Sequence, residues 1–368
     1  MGKIIAAGHI CLDITPVFPE TVRGQTTEDL LQPGKLVRMA GADVHTGGSV
    51  ANTGLALKKM GNDVTLLGKI GKDAFGEMVK SIVSSYGAGG LIEDGGCATS
   101  YSVVLAIPGQ DRVFLHDSGA NDSFTGSDIP EKALEDAVLF HFGYPPLMKR
   151  MYEEDGQEME AMFCRMKEHG IATSLDFAAI DPNSEAGKIN WRIILQRVLP
   201  YVDFFVPSFE ELCFMLNREQ YHRLNRGGDM TEDLDLQAEA MPLADQLIKM
   251  GCRAVLIKCG TSGMLYKTAG GEVMKTVGSR LNLDVARWAD QEGLQPCFKA
   301  DIVRSGTGAG DTSIAAFLTG LLRGSDPAAC AAFAAAQGAC CVTGYDALSG
   351  LKTIEELTEK IESGWETV

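Results

Sequence analysis

Apolar runs of strand length alternate with runs of helical period through the middle of this chain, and that rhythm restricts the fold more than any other feature. Residues 137–142 and 172–177 read as buried strands with a helical pattern near 151–168 between them, and a helix near 189–199 leads to a strand at 203–207. Strand, helix and strand in repetition build βαβ units, which need a mostly parallel sheet with helices on both faces. Residues 3–7 and 63–68 extend the pattern at one end, and residues 254–266 extend it at the other as strand, tight turn and strand. With 368 residues, 45% of them hydrophobic, the chain can fill one large core. The expectation is a single doubly wound, mostly parallel α/β domain over residues 1–368. Two segments fall outside the rhythm. Residues 14–46 are punctuated by Pro16, Pro19 and Pro33 and hold a brief strand at 36–39, while residues 99–118 read as a hairpin about a turn at Pro108–Asp111. Together they predict a small separate sheet acting as a lid. Residues 218–236, with Gly227-Gly228-Asp229, read as an exposed insertion, and 270–297 as a second, irregular one.

The chemistry is concentrated in Ser305-Gly306-Thr307-Gly308-Ala309-Gly310-Asp311. Three glycines so close together are a loop, whereas the apolar residues from Ile314 to Leu322 recur at helical spacing until Gly324 ends the run. A loop opening into a helix presents amide groups at the positive end of the helix dipole, and Gly308 and Gly310 put no side chain in the way of an anion. Asp311 stands at the same helix start, where the dipole favours its ionised form and so its use as a proton acceptor. An anion cradle beside a carboxylate base suits phosphoryl transfer to a hydroxyl. The plainer reading of the same residues is a capped helix, so other segments have to support the chemical one.

Several do. Asp13 follows the first strand, at the sheet edge where open α/β folds bind ligands. Gly47-Gly48 opens a helix that carries Val50, Leu57 and Met60 and closes at Gly61, with Asn52 in its first turn, where an amide can reach a ligand hydroxyl. Glu211 starts a helix at another strand end and could hold magnesium through water; it is equally a residue that favours a helix N-terminus. Lys258 ends a strand within reach of a nucleotide phosphate, and Gly260 and Gly263 allow close backbone approach. The glycines after residue 68 lack the GxGxxG spacing of dinucleotide sites, and Gly350-Leu351-Lys352-Thr353 lacks the adjacent Gly-Lys of a P-loop. His116 and His141 read as satisfied strand residues.

Charge and cysteine usage exclude some partners. With 33 basic and 49 acidic residues the net charge is −16, which argues against nucleic acid and anionic membrane. A phosphate ligand must therefore be held by local groups. Ten cysteines, with no CxxC and only Cys340-Cys341 adjacent, read as small buried apolar residues of a reducing cytoplasm. No signal peptide is expected at the N-terminus, and the apolar run 328–342, broken by Gln337 and Gly338, reads as a core helix.

In this order and separation, the Gly47-Gly48…Asn52…Gly61 segment and the Thr307-Gly308-Ala309-Gly310-Asp311 segment resemble the two signatures of the ribokinase-like (PfkB-type) carbohydrate kinase family. The resemblance runs from about residue 3 to about residue 348, the two insertions aside. It implies ATP-dependent phosphorylation of a sugar hydroxyl with magnesium. Asp311 would be the base and Gly308, Ala309 and Gly310 the anion hole. Asp13, Gly47, Gly48 and Asn52 would bind the sugar, with Arg112 in the hairpin beside the lid. Lys258, Gly260, Gly263 and Thr307 would lie on the nucleotide side, and Glu211 would match the Glu of the family's Asn-x-x-Glu motif. The lid would exclude water on closing, and in relatives such a lid can mediate homodimers. Two positions depart from the pattern. Ser305-Gly306 replaces an Asp-Thr pair, which weakens the inference of a monovalent-cation site, and Ser208 replaces the Asn of Asn-x-x-Glu. A nucleoside kinase of the same fold, or a non-catalytic sugar or nucleotide sensor, are the rival readings, and the acceptor itself stays open.

Overall fold

Successive residues of the interior strands go to opposite cores, so the central sheet is covered on both sides. The structure is a computed structural model that describes residues 2–110, 112–225 and 229–368. Its main sheet is built from β1 (Lys3–Gly8), β4 (Val64–Leu67), β9 (Ala137–Gly143), β10 (Ala172–Asp176), β11 (Phe204–Phe205), β12 (Ala254–Lys258), β13 (Met264–Thr268) and β14 (Glu292–Gln295). The order is β14-β13-β12-β11-β10-β9-β1-β4, parallel from β12 to β4, with β13 and β14 added antiparallel at one edge. Phe140, Phe142, Phe205 and Ile257 enter one core with Phe163 and Trp191. Leu139, Phe204 and Leu256 enter the other with Trp288 and Phe317. The period of two thus explains the near-continuous apolar character of the strands. Each fully buried large apolar side chain contributes about 1.5–3 kcal/mol to this arrangement.

The second sheet comprises β2 (Cys11–Val17), β3 (Gly41–Gly47), β7 (Tyr101–Leu105) and β8 (Val113–Asp117), in the order β3-β2-β7-β8. Two expectations change here. Residues 36–39 form no strand, and Leu36 is 95% exposed; the strand falls at β3, whose register with β2 runs from Cys11↔Gly47 to Val17↔Gly41. Asp13 accordingly lies within β2 opposite His45, not in a loop, because β2 resumes only two residues after β1 ends. A pair of short parallel strands, β5 (Lys69–Gly71) and β6 (Ile92–Asp94), stands between the two sheets in the chain.

The two insertions are better ordered than their polar composition suggests. Residues 218–236 open with the Arg218–Leu224 helix, capped by the Asn217 side chain, and bury Tyr221, Met230, Thr231 and Leu236. Gly227 and Gly228 lie outside the described residues, as does Asp111 of the expected 108–111 turn. Residues 270–297 contain the Gly271–Met274 and Val285–Trp288 helices and β14, anchored by the buried Val277 and Trp288. A few large apolar side chains are enough to dock each stretch. The helix expected over 151–168 is divided: Glu154 and Asp155 take φ of 50° and 53°, and the continuous helix is Gln157–Glu168. Seven cysteines are buried, while Cys97, Cys164 and Cys297 are half-buried; all are free thiols. No helix among the described residues is long and apolar enough to cross a membrane.

The edge strand β8 of the small sheet is exposed on both faces, with Val113, Phe114 and Leu115 in solvent, and this sheet packs less apolar surface than the main one. Hydrogen exchange should therefore find the Val103 amide of β7 less protected than those of Val255, Leu256 and Ile257 in β12 when no ligand is present. Equal protection would mean that the two sheets open together.

Candidate active site

The carboxyl edge of the parallel strands gathers the polar side chains of this fold. Pairing places Gly8, Gly143 and Asp176 in one row across β1, β9 and β10, and Ser208 bridges to Lys258 beside them. The buried helix Ala309–Leu322 points its first turn at this edge. Its N-cap, Gly308, takes φ of 74°, and a Cβ there would lie 2.2 Å from that of Ala347, so only glycine can begin the helix this way. Gly308, Ala309 and Gly310 line a cavity of about 860 Å³. The amides of a first helical turn have no acceptor within their helix; that of Ala309 donates to the Gly306 carbonyl at 3.3 Å.

Asp311 is 4% exposed. The Tyr144 hydroxyl lies 2.9 and 2.8 Å from its two carboxylate oxygens, Asn52 Nδ2 donates to Oδ2 at 3.0 Å, and Thr53 Oγ1 donates to Oδ1 at 3.2 Å. Burial pushes the Asp311 carboxyl up, against the opposing pull of Tyr144, Asn52, Lys258 and Thr53. The helix dipole favours the ionised form, and burial inside the fold acts against it. A raised carboxylate is a stronger base and better matched to an alcohol proton.

On the side of the second sheet, Gly48 (φ 85°) has no room for a Cβ, which would lie 2.5 Å from the His9 carbonyl oxygen. A Cβ on Gly47 would lie 2.2 Å from Asp13 Oδ2, so this diglycine lets two strands and a helix start converge. Cys11 Sγ donates to Asp13 at 3.3 Å, and Ser102 Oγ bonds His116 Nδ1 at 3.0 Å on the next strands. Burial raises the Asp13 carboxyl as well. Asn52 thereby joins Asp13 and the diglycine to Asp311. Arg112 stands apart from these residues in the small sheet, next to Val113, which pairs with Leu105. It precedes β8, four residues before His116, or about 13 Å along an extended strand.

The opposite wall carries Asp176, Glu210, Glu211, Asp229 and Lys258. Lys258 Nζ bonds Asp176 Oδ1 at 2.7 Å instead of standing free for a phosphate. Burial pushes the Asp176 carboxyl up to about 8 despite Lys258. Burial works against the Lys258 charge, but Asp176, Glu211 and Asp311 outweigh it and hold the ammonium above its ordinary range. Glu211 belongs to a capping box: its Oε2 accepts from the Ser208 amide at 2.7 Å, and Ser208 Oγ accepts from the Glu211 amide at 3.2 Å. Gly260 and Gly263 both have positive φ and line the cavity, but a Cβ on Gly263 would strike the Gln295 carbonyl oxygen, so packing of β14 also demands glycine there. Thr307 Oγ1 is engaged by Ser305. His141 bonds Ser174 through Nδ1, whereas its Nε2 has no partner among the described residues.

Sequence reasoning missed Tyr144, Thr53, Asp176 and His9. A signal existed for three of them: His9, Tyr144 and Asp176 each stand at or just beyond the carboxyl end of an expected parallel strand, the edge on which such sheets place ligands.

Residues 15–354 match the model of the pfkB family carbohydrate kinases. Fructokinase-1 of Zea mays is 25% identical over 144 residues, 38% of this chain and 41% of the relative, so the match spans about two fifths of the plant protein's length. The ribokinase of Schizosaccharomyces pombe is 24% identical over 354 residues, 91% of this chain and 95% of the relative. Among solved structures, the fructokinase of Xylella fastidiosa with bound ATP superposes with a TM-score of 0.71 at 18% identity, covering 98% of each chain. That likeness establishes the fold.

The raised Asp311 carboxyl has a consequence for stability. Because its folded pKa exceeds the unfolded value of about 3.9, Asp311 favours the folded state below that pH, and this contribution is lost as pH rises through the folded pKa. Asp311→Asn carries no such linkage. The melting temperature of the Asn variant, relative to the parent, should therefore rise as the pH is raised above about 4. A difference that stays flat or falls in a pH series of thermal melts would contradict the assignment.

Proposed function

The chain belongs to the pfkB family of carbohydrate kinases, and on that premise we propose that it transfers the terminal phosphoryl group of ATP to a hydroxyl of a sugar or sugar derivative. The observation that carries this reading is the placement of Asp311: a buried, hydrogen-bonded carboxylate at the first turn of a helix whose glycine-rich start lines a large cavity. Asp311 takes the acceptor proton, and the amides of Gly308, Ala309 and Gly310 hold negative charge on the transferred group. Asp13, Gly47, Gly48 and Asn52 form the acceptor side. Lys258, Gly260, Gly263 and Thr307 border the nucleotide side, with Lys258 oriented by Asp176.

A divalent cation such as magnesium suits the acidic wall. No three carboxylates among the described residues gather closely enough to hold a metal by themselves, but magnesium is commonly held by one or two carboxylates together with water and substrate phosphates, and Asp176 and Glu211 each keep an oxygen outside the bonds to Lys258 and Ser208. The metal, when bound, would neutralise charge on the phosphates. The second sheet serves as the lid over the acceptor side. Its exposed apolar strand β8 offers a surface on which two copies would pair, a role that a monomer at every concentration in sedimentation would remove.

Two variants test the assignments. Asp311→Asn keeps the shape of the helix start and should lower the phosphorylation rate at least roughly a hundredfold, with ATP binding little changed. A folded variant with near-normal turnover would falsify Asp311 as the base. The acceptor is found by an ADP-release screen over sugars, sugar acids, phosphosugars and nucleosides, headed by fructose and ribose because the matched relatives bear those names. Glu211→Gln keeps an oxygen for the Ser208 amide and hence the capping box. It should raise the magnesium requirement while leaving acceptor affinity unchanged; an unaltered magnesium titration would leave Glu211 with the cap alone.

A further inference from the structure

Asp311 does not face the cavity bare. Tyr144, which lines that cavity, places its hydroxyl between 2.8 and 2.9 Å from both carboxylate oxygens. This O–H has one proton and shares it between them. Asn52 and Thr53 already supply one further donor to each oxygen from within the fold. Tyr144 and Asp311 both line the cavity, so the phenol occupies a hydrogen-bonding position on the carboxylate beside the space a ligand would enter. An O–H donor at 2.6–3.2 Å from the base is also the contact an acceptor alcohol must make before transfer.

We propose that the Tyr144 hydroxyl holds the acceptor's place on Asp311 when no acceptor is bound, and so decides which hydroxyl compounds reach the base while keeping water from it. The inference rests on the reading of Asp311 as base. The backbone at Tyr144 supports a fixed anchor with a movable phenol. Its φ of 69° and ψ of 41° are left-handed, Pro145 and Pro146 follow, and its amide donates to the Asp176 carbonyl, so the main chain has little freedom. Only side-chain torsions need change for the ring to swing aside. The ring lies 6.2 Å from that of His9, whose buried Nδ1 has no partner among the described residues. Burial and the neighbouring Asp311 hold the phenol well above its ordinary pKa, so it remains a donor. A polyol that replaces the lost bond to Asp311 and offers a second hydroxyl to the displaced phenol restores both interactions. Water or a simple alcohol restores one. Selection for polyols follows from that difference.

Tyr144→Phe removes one oxygen atom and keeps the ring beside His9. The space released admits a water molecule onto Asp311, next to the helix-start amides. That water's oxygen forms a bond to the terminal phosphorus of ATP as the bond to the bridging oxygen breaks. ADP leaves with the electron pair, the proton passes to Asp311, and the products are ADP and inorganic phosphate. With magnesium-ATP and no acceptor, ADP release should rise on the order of tenfold over the parent, and the gain should vanish in the Tyr144→Phe, Asp311→Asn double variant. Loss of packing alone would not raise hydrolysis. Unchanged ADP release by a folded Tyr144→Phe protein, or a gain that survives in the double variant, overturns the proposal. Slower sugar phosphorylation without added hydrolysis overturns it too, since Tyr144 would then assist the transfer itself. Tyr144→Leu repeats the measurement should the Phe variant melt early. Failure of the base assignment is read separately, from Asp311→Asn alone.

Discussion

One buried carboxylate ties three distant segments of this chain together. Asp311 binds Asn52 and Thr53, from the helix that follows the small sheet, and Tyr144, from the end of a strand in the main sheet. A carboxylate removed from water is tolerated only where such donors replace its hydration. The same burial that makes the carboxyl a stronger base makes its ionised form costly to the fold.

Charge at the rest of the edge follows the same logic. A net charge of −16 cannot attract a nucleotide, so attraction has to be local and short-ranged. Lys258 and the helix-start amides provide it. The carboxylates around them, Asp176 above all, hold the lysine charged and in place inside the protein.

The strand order explains why these residues meet. Parallel strands all point their carboxyl ends the same way, so every βα connection from β1 to β11 returns the chain to one edge. His9, Tyr144, Asp176 and Ser208 arrive there from the ends of four neighbouring strands, β1, β9, β10 and β11. The antiparallel β13 and β14 close the far edge, with the segment around Cys297 and Phe298 forming part of the cavity wall.

The sequence by itself determined what is encoded in local pattern. The period of two in the strands, the helix that begins at Gly308 and the diglycine before Ser49 are each short-range properties of backbone and burial, and each was legible without coordinates. So was the pairing of an anion-binding helix start with Asp311. Tertiary structure decided everything that depends on what a side chain meets from a distant segment. Asp311 is taken out of water by segments far from it in the chain, and that burial raises its carboxyl. Lys258 was drawn to Asp176, 82 positions away in the chain. Tyr144 looked like one more aromatic residue before two prolines, and only its left-handed backbone turns the hydroxyl onto a carboxylate 167 positions further on. Spacing along a chain carries no record of such contacts, because they are set by how helices and strands pack and not by the residues beside them.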